Sequence, residues 1–101
     1  MPEDTESAEK AKSAEKIAKL REEILSAQSS VVVSNHAYGL FELASIYLGA
    51  DPPRLADATL AIDALAGLLS ATEDRLAESA GPLREGLKQL QMAYIEMNKL
   101  E

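Results

Sequence analysis

The chain has 101 residues, a length that suits one domain and is too short for two. It contains no cysteine, which excludes disulfides, iron–sulfur clusters and thiolate zinc sites and favours a reducing compartment. Seventeen acidic residues against ten basic ones give a net charge of −7, which repels phosphate backbones and argues against direct nucleic-acid binding.

The first 28 residues form a charged segment, predicted as a unit separate from a bundle domain at 29–101. The first thirteen residues are predicted to be frayed or disordered, because alanines are almost their only apolar residues. From about Ser13 to Ala27 the composition is strongly helix-forming. Ile17, Leu20 and Ile24 recur at three and four residues, which predicts a charged helix with a thin apolar stripe.

The second predicted helix follows Ser30, a plausible N-cap residue, and ends at Gly49. A period of 3.6 outweighs the β-branched run Val31–Val33. The predicted buried arc of this helix comprises Val33, His36, Ala37, Leu40, Leu43, Ala44 and Tyr47. The predicted polar arc comprises Ser34, Asn35, Tyr38, Glu42 and Ser45.

The third predicted helix runs from about Arg54 to Ala77, after a turn that contains two prolines. Its main stripe comprises Leu55, Ala58, Ile62, Leu65, Leu69 and Leu76. A second apolar flank comprises Leu60, Ala61, Ala64 and Leu68. A helix apolar over that much of its circumference is typical of one that touches two neighbours or a partner chain.

The last predicted helix spans Pro82–Leu100, with Pro82 at its first position. Its seam has spacings of four, three, four and three and comprises Leu83, Leu87, Leu90, Tyr94 and Met97. Short loops between long helices favour antiparallel neighbours. The sequence therefore predicts an all-α protein: a small antiparallel helical bundle of three core helices plus a charged N-terminal helix.

The sequence predicts no membrane segment. Met1 is followed by Pro2 and Glu3 rather than by a basic region and an apolar run, so no secretory signal is expected. The most apolar stretch, Val31–Leu48, is about as long as the shortest membrane spans, but polar residues such as Asn35 interrupt it. We expect a cytoplasmic protein that does not contact membranes.

Three stretches resemble a bacterial family known only as domain of unknown function eighteen-forty-four, in its actinobacterial form. They are LASIYLGAD at 43–51, AIDALAGLLSATEDRL at 61–76 and GPLREGLKQLQMAY at 81–94. The resemblance covers roughly 31–97 and implies a small helical domain without an assigned activity. Actinobacterial members tend to be encoded near translation genes, which implies a translation-associated adaptor as one alternative function. The Lys/Glu-rich helix before Gln28 falls outside the family pattern.

His36 is the only histidine, and it is predicted to project into the apolar arc of its helix. A metal-ligand or general-base role would need further ligands at helical spacing, and Glu42 is the only acid in that helix. A structural histidine is the favoured interpretation. A small-molecule-binding bundle with His36 facing a cavity remains an alternative. Tyr47 and Tyr94 are predicted to lie on core stripes.

Glycines within the predicted helices at 39, 67 and 86 are best explained by close approach of another helix. The carboxylates of Asp57, Asp63, Glu73 and Asp74 are expected to form a solvated acidic face rather than an acid/base pair. Half of the positive charge lies between Lys10 and Arg21, where seven acids within the first 28 residues offset it.

These observations favour a non-enzymatic protein-interaction or self-associating module without cofactor, metal or catalytic residues. Its expected partners are a second copy of the chain or an unidentified protein. The chain carries more apolar side chains than a three-helix domain is expected to bury, and this surplus motivates the hypothesis. The residues proposed to form the interface are Phe41, Ile46, Leu60, Leu68, Met92 and Ile95.

Overall fold

A computed structural model describes residues 2–100, and the side chains of residues 5–100. Within that range the protein is all-α and contains no strand, as the hydrophobic periodicity predicts. Met1 and Glu101, the outer ends of the two predicted units, lie outside the described residues. The four α-helices are α1 (Pro2–Ser26), α2 (Ser29–Leu48), α3 (Leu55–Thr72) and α4 (Ala80–Lys99), and two 3-10 segments, Glu73–Arg75 and Ala77–Ser79, connect α3 to α4.

Helices α2, α3 and α4 pack on one another, each touching the other two, and enclose the core. The side chains of Leu65 and Leu83 are the largest that are fully buried. The predicted main stripe of α3 and seam of α4 are confirmed, since all their members are buried or packed against the core. The buried core comprises Ala37, Ala44, Leu48, Ala58, Ala61, Ile62, Leu65, Leu69, Leu76, Ala80, Leu83 and Leu90.

The buried arc of α2 is rotated from its predicted position. His36 and Leu43 are exposed, whereas Ser34, predicted to be polar and outward, is 3% exposed. Phe41 also packs against the core, because its ring lies against Gly86 of α4. Helix α2 contacts two helices, so its buried arc is centred between them rather than on its most apolar residues.

Several helix ends differ from their predicted positions. Helix α2 begins at Ser29, so Gln28 rather than Ser30 is its N-cap residue, and no side chain of residues 5–100 caps that end. Helix α4 begins at Ala80, which makes Pro82 its third residue rather than its first. Proline is compatible with that site because the first four N–H groups of a helix have no intrahelical acceptor.

Helix α3 ends five residues before the predicted Ala77. The hydroxyl of Thr72 donates a hydrogen bond to the Leu68 carbonyl at 2.6 Å, and the Arg75 guanidinium donates to the Ala71 carbonyl at 3.0 Å. The Ala71 carbonyl is one of the last four of the helix, which lack an intrahelical donor, whereas the Thr72 hydroxyl makes a bond to the carbonyl four residues earlier. Ala77 has a φ of 54°, a strained value for a residue with a Cβ, and lies where the chain turns toward α4.

Helix α1 is continuous from Pro2 to Ser26, so the prediction that residues 1–13 are frayed or disordered is wrong for the described residues. Alanine, glutamate and lysine dominate this segment and favour helix along its whole length. Every described side chain from 5 to 26 is exposed. The overall dimensions of 63 × 35 × 16 Å are elongated for a chain of this length.

One described segment, Leu55–Arg75, is long and apolar enough to cross a membrane, judged by length and composition alone. It lies C-terminal to Val31–Leu48, the stretch that the sequence singled out. The share of its most apolar window that is buried is 28%. The core helices of soluble proteins meet the same criterion, and α3 packs against both α2 and α4.

Candidate interaction surfaces

The six residues predicted to form one interface lie on different surfaces. Phe41 and Leu68 are half-buried and packed against the core. The other four are exposed large apolar residues, and they belong to three different helices: Ile46 of α2, Leu60 of α3, and Met92 and Ile95 of α4. The structure therefore does not bring the six residues together in one patch.

Ile46 and Leu60 belong to the outer side of the α2–α3 pair, away from α4. Residues two apart on a helix point about 160° apart. Because Phe41 contacts α4, Leu43 faces away from α4. Ile62 borders the α3–α4 groove, so Leu60 likewise faces away.

We call the exposed outer sides of these two helices together the α2–α3 face and define it by Gly39, Leu43, Ile46, Leu60 and Gly67. The three large members are exposed, Leu60 over 73% of its surface. A Cβ added at either glycine would meet no atom within 4 Å, so neither glycine serves a close contact within the described chain. None of its members carries a charge.

A second surface is the α2–α4 groove, where Gly86 allows a close contact. A Cβ at Gly86 would lie 2.8 Å from Cε2 of Phe41, so only glycine accommodates the ring where it stands. Two adjoining depressions of about 280 and 320 Å³ share Phe41 and Gln89. The walls of this groove include Tyr38, Phe41 and Ser45 from α2 and Gly86, Gln89 and Ala93 from α4.

Ile95 and Met92 lie in different surroundings. Ile95 borders a depression of about 380 Å³ between α3 and α4, together with Ile62 and Tyr94. Met92 shares its face of α4 with Lys88 and Glu96, which are one helical turn away on either side. Met92 therefore lies between charged residues along α4 and next to the exposed Ile95, three residues further on.

The apolar stripe of α1 is the third surface. Ile17, Leu20 and Ile24 are 54%, 55% and 51% exposed, so about half of each side chain is covered by its own helix. An exposed stripe on a largely charged helix is typical of a segment that packs against another helix.

His36 is exposed, so the prediction that it projects into the buried arc is wrong. An exposed imidazole faces solvent rather than an internal cavity, and the small-molecule alternative stays a prediction from the sequence. Within the described part of the chain, no three His, Cys, Asp or Glu side chains converge in a way that could hold a metal ion.

Tyr47 and Tyr94 pack against the core, as predicted. The Tyr47 ring also lies 5.5 Å from the Arg54 guanidinium carbon, a cation–π geometry. The backbone N–H of Arg54 donates to the Tyr47 carbonyl at 2.9 Å. These contacts fix the turn between α2 and α3.

The four carboxylates singled out in the sequence do not converge. Asp57 pairs with Arg54 at 2.6 Å, Glu73 with Arg84 at 2.9 Å, and Asp74 is 3.7 Å from its neighbour Arg75. Asp63 borders the α3–α4 groove. Their side chains are largely solvated, so each pair contributes little to stability.

Comparison with protein-family models, with curated proteins and with solved structures found no match. The resemblance to the domain of unknown function therefore stays a prediction from the sequence. Three surfaces of the described chain are open to a partner: the α2–α3 face, the α2–α4 groove and the α1 stripe.

Proposed function

We propose that this protein is a non-enzymatic, self-associating interaction module that acts in the cytoplasm. Its scaffold in this proposal is an antiparallel bundle of α2, α3 and α4, from which the charged helix α1 extends. The single observation that carries the proposal is the uncovered stripe of Ile17, Leu20 and Ile24 on a helix whose described side chains are all exposed.

Helix α1 needs a packing partner for its stability. An isolated helix gains little from propensity in water, and helices in proteins owe most of their stability to packing of an apolar face. The α1 stripe lacks such packing within the described chain. A second copy of the chain supplies an apolar surface at the same concentration as the helix itself, so self-association is the simplest way to cover the stripe.

Sedimentation equilibrium over about two orders of magnitude in concentration tests this proposal. We expect the mean mass to rise from the 10.8 kDa of one chain toward twice that value. A mass that stays at one chain across the whole range would refute self-association.

The α2–α3 face favours a second function, the docking of a protein partner. Three exposed apolar residues and two outward glycines leave apolar surface that another helix can approach closely, and the exposed acids Glu42 and Asp63 lie one helical turn from its members. A partner with an apolar helix face flanked by basic residues fits this surface best. From the sequence resemblance alone, we also propose that the chain belongs to the domain-of-unknown-function family and acts beside the translation machinery.

Affinity capture from native extract tests this docking function with paired variants. Ile46→Glu and Leu60→Glu place a charge on the α2–α3 face, whereas Met92→Glu adds the same charge to an exposed residue on α4. We expect a specific partner to be lost with the first two and retained with the third. Equal recovery by all three variants would refute docking at this face.

A further inference from the structure

The α2–α4 groove and the α1 stripe share one spacing. Tyr38, Phe41 and Ser45 along α2, and Gly86, Gln89 and Ala93 along α4, are separated by three and then four residues. Ile17, Leu20 and Ile24 on α1 have the same separation, which corresponds to about 10 Å along each helix. Matching three–four spacings let the side chains of one helix fill the gaps between those of two others.

We propose that α1 of one copy of the chain docks in the α2–α4 groove of a second copy, and that the second copy returns the same contact. This inference rests on the self-association proposed above and names the surfaces that produce it. Each bundle then gains a fourth helix from its partner. In this exchange α1 acts as an arm that each chain extends to the other. The arrangement has closed two-fold symmetry, so assembly ends at a dimer.

The connection between α1 and α2 explains why a chain cannot fill its own groove. Only Ala27 and Gln28 separate the two helices. If α1 folded back antiparallel to α2 over so short a connection, the numbers of facing residues in the two helices would sum to about 55. Ile24 would then lie opposite Val31, and Ile17 opposite Tyr38. The stripe would then reach only the near end of the groove, which extends along α2 to Gly49.

Charge also favours this pairing. Glu85 borders the groove, Glu42 lies next to its α2 wall, and no basic residue lines either depression. On α1, Lys16 and Arg21 lie about 70° to either side of the stripe, and Glu23 lies about 90° from it on the side of Lys16. A docked α1 therefore brings Arg21 to an acidic rim on one side of the groove and a mixed pair of charges on the other, while its apolar side chains enter the groove.

Two docked α1 helices can bury the area that a stable dimer interface requires. A standard protein–protein interface buries about 1,600 Å² in total. Two reciprocal arms create four buried surfaces, so each needs to contribute about 400 Å² to reach that size. A helix of three turns laid in a groove suffices for this, and α1 has 25 residues.

Sedimentation equilibrium of Leu20→Glu, with Ala18→Glu as its matched control, tests the arm. Both variants add one acid to a neutral, exposed position of α1, and the two side chains point about 160° apart. We expect Leu20→Glu to weaken dimerisation about tenfold or more and Ala18→Glu to leave it nearly unchanged. Because every described side chain of α1 is exposed, neither substitution disturbs the core, which far-ultraviolet circular dichroism verifies.

Disulfide trapping then tests the groove, since the chain contains no native cysteine. A tagged Leu20→Cys chain is mixed with an untagged Gln89→Cys chain and oxidised mildly, and Ala18→Cys replaces Leu20→Cys in the control. We expect a cross-linked pair of unequal chains with Leu20→Cys, at several times the control yield. Equal yields would refute docking in this groove, and intramolecular closure of the Leu20→Cys/Gln89→Cys double variant would show that the arm is not exchanged.

The outcomes separate the two proposals. A wild-type chain that stays monomeric overturns both self-association and the arm exchange. A wild-type dimer that Leu20→Glu leaves intact supports self-association but overturns the arm as its cause. A dimer that Leu20→Glu dissociates and that cross-links between positions 20 and 89 supports both.

Discussion

Replacing each of two helical glycines by alanine distinguishes a close contact from an open surface. Alanine is more favourable than glycine in a helix interior by about 1 kcal/mol. At Gly67 a new Cβ meets nothing within 4 Å, so Gly67→Ala should raise the free energy of unfolding by about that amount. At Gly86 the Cβ would lie 2.8 Å from Phe41, and overpacking of this kind costs about 1–3 kcal/mol.

The net effect at Gly86 is therefore a loss of about 0–2 kcal/mol, opposite in sign to the gain at Gly67. Thermal unfolding followed by circular dichroism resolves this difference, because 1 kcal/mol shifts the Tm of a domain this size by about 4–8 °C. Samples must be dilute enough that chains do not associate. A Gly86→Ala variant that is stabilised as much as Gly67→Ala would refute the close contact with Phe41.

Three further substitutions test the core and the surface by chemical denaturation. Ser34→Ala should stabilise the protein by about 1 kcal/mol, because the buried Ser34 hydroxyl has no hydrogen-bond partner among the described residues; a loss of stability would contradict this. Leu65→Ala should cost about 2–5 kcal/mol, whereas Leu60→Ala should cost less than about 0.5 kcal/mol because Leu60 is exposed; similar losses would contradict the core assignment. Arg84→Ala should cost no more than about 1 kcal/mol, because its ion pair with Glu73 is largely solvated; a larger loss would show that the pair anchors α4.

The apolar faces of α3 and α4 could be predicted from the sequence because large side chains dominate them. Leucines at helical spacing mark the buried side of each helix without ambiguity, and Leu65, Leu69, Leu83 and Leu90 are buried where the period places them. Periodicity succeeds where one arc of a helix is much more apolar than the rest.

The face of α2 could not be predicted in the same way because apolar residues surround much of that helix. Periodicity alone places His36 and Leu43 with the buried residues. The contact between Phe41 and Gly86 selects a neighbouring arc instead, and that arc includes Ser34. Only tertiary packing determines which arc of α2 is buried, and the local pattern of a single sequence does not contain that information.

The grouping of exposed apolar residues into surfaces could not be predicted for a related reason. The stripe of α1, Ile46 and Leu60 could be singled out from the sequence, but exposed residues such as Met92 look identical in sequence to those that border a groove, such as Ile95. The groove between α2 and α4 has no sequence signal of its own, because the three–four spacing of its walls is that of any helix face. It is recognised only when the structure shows that Phe41 lies against Gly86.

The helix-favouring composition of α1 bears on how tightly its stripe can bind. Ordering a flexible segment during binding costs about 1–2 kcal/mol per residue in backbone entropy, which offsets most of the energy of a small interface. The 25 residues of α1 are rich in alanine, glutamate and lysine, which favour helix, so the groove has to meet a smaller part of that cost. The alanines, glutamates and lysines of α1 therefore contribute to association without touching the partner, because they keep Ile17, Leu20 and Ile24 aligned. By the same reasoning, a helix-breaking Ala14→Gly/Ala18→Gly pair should weaken dimerisation even though Ala18 points away from the groove.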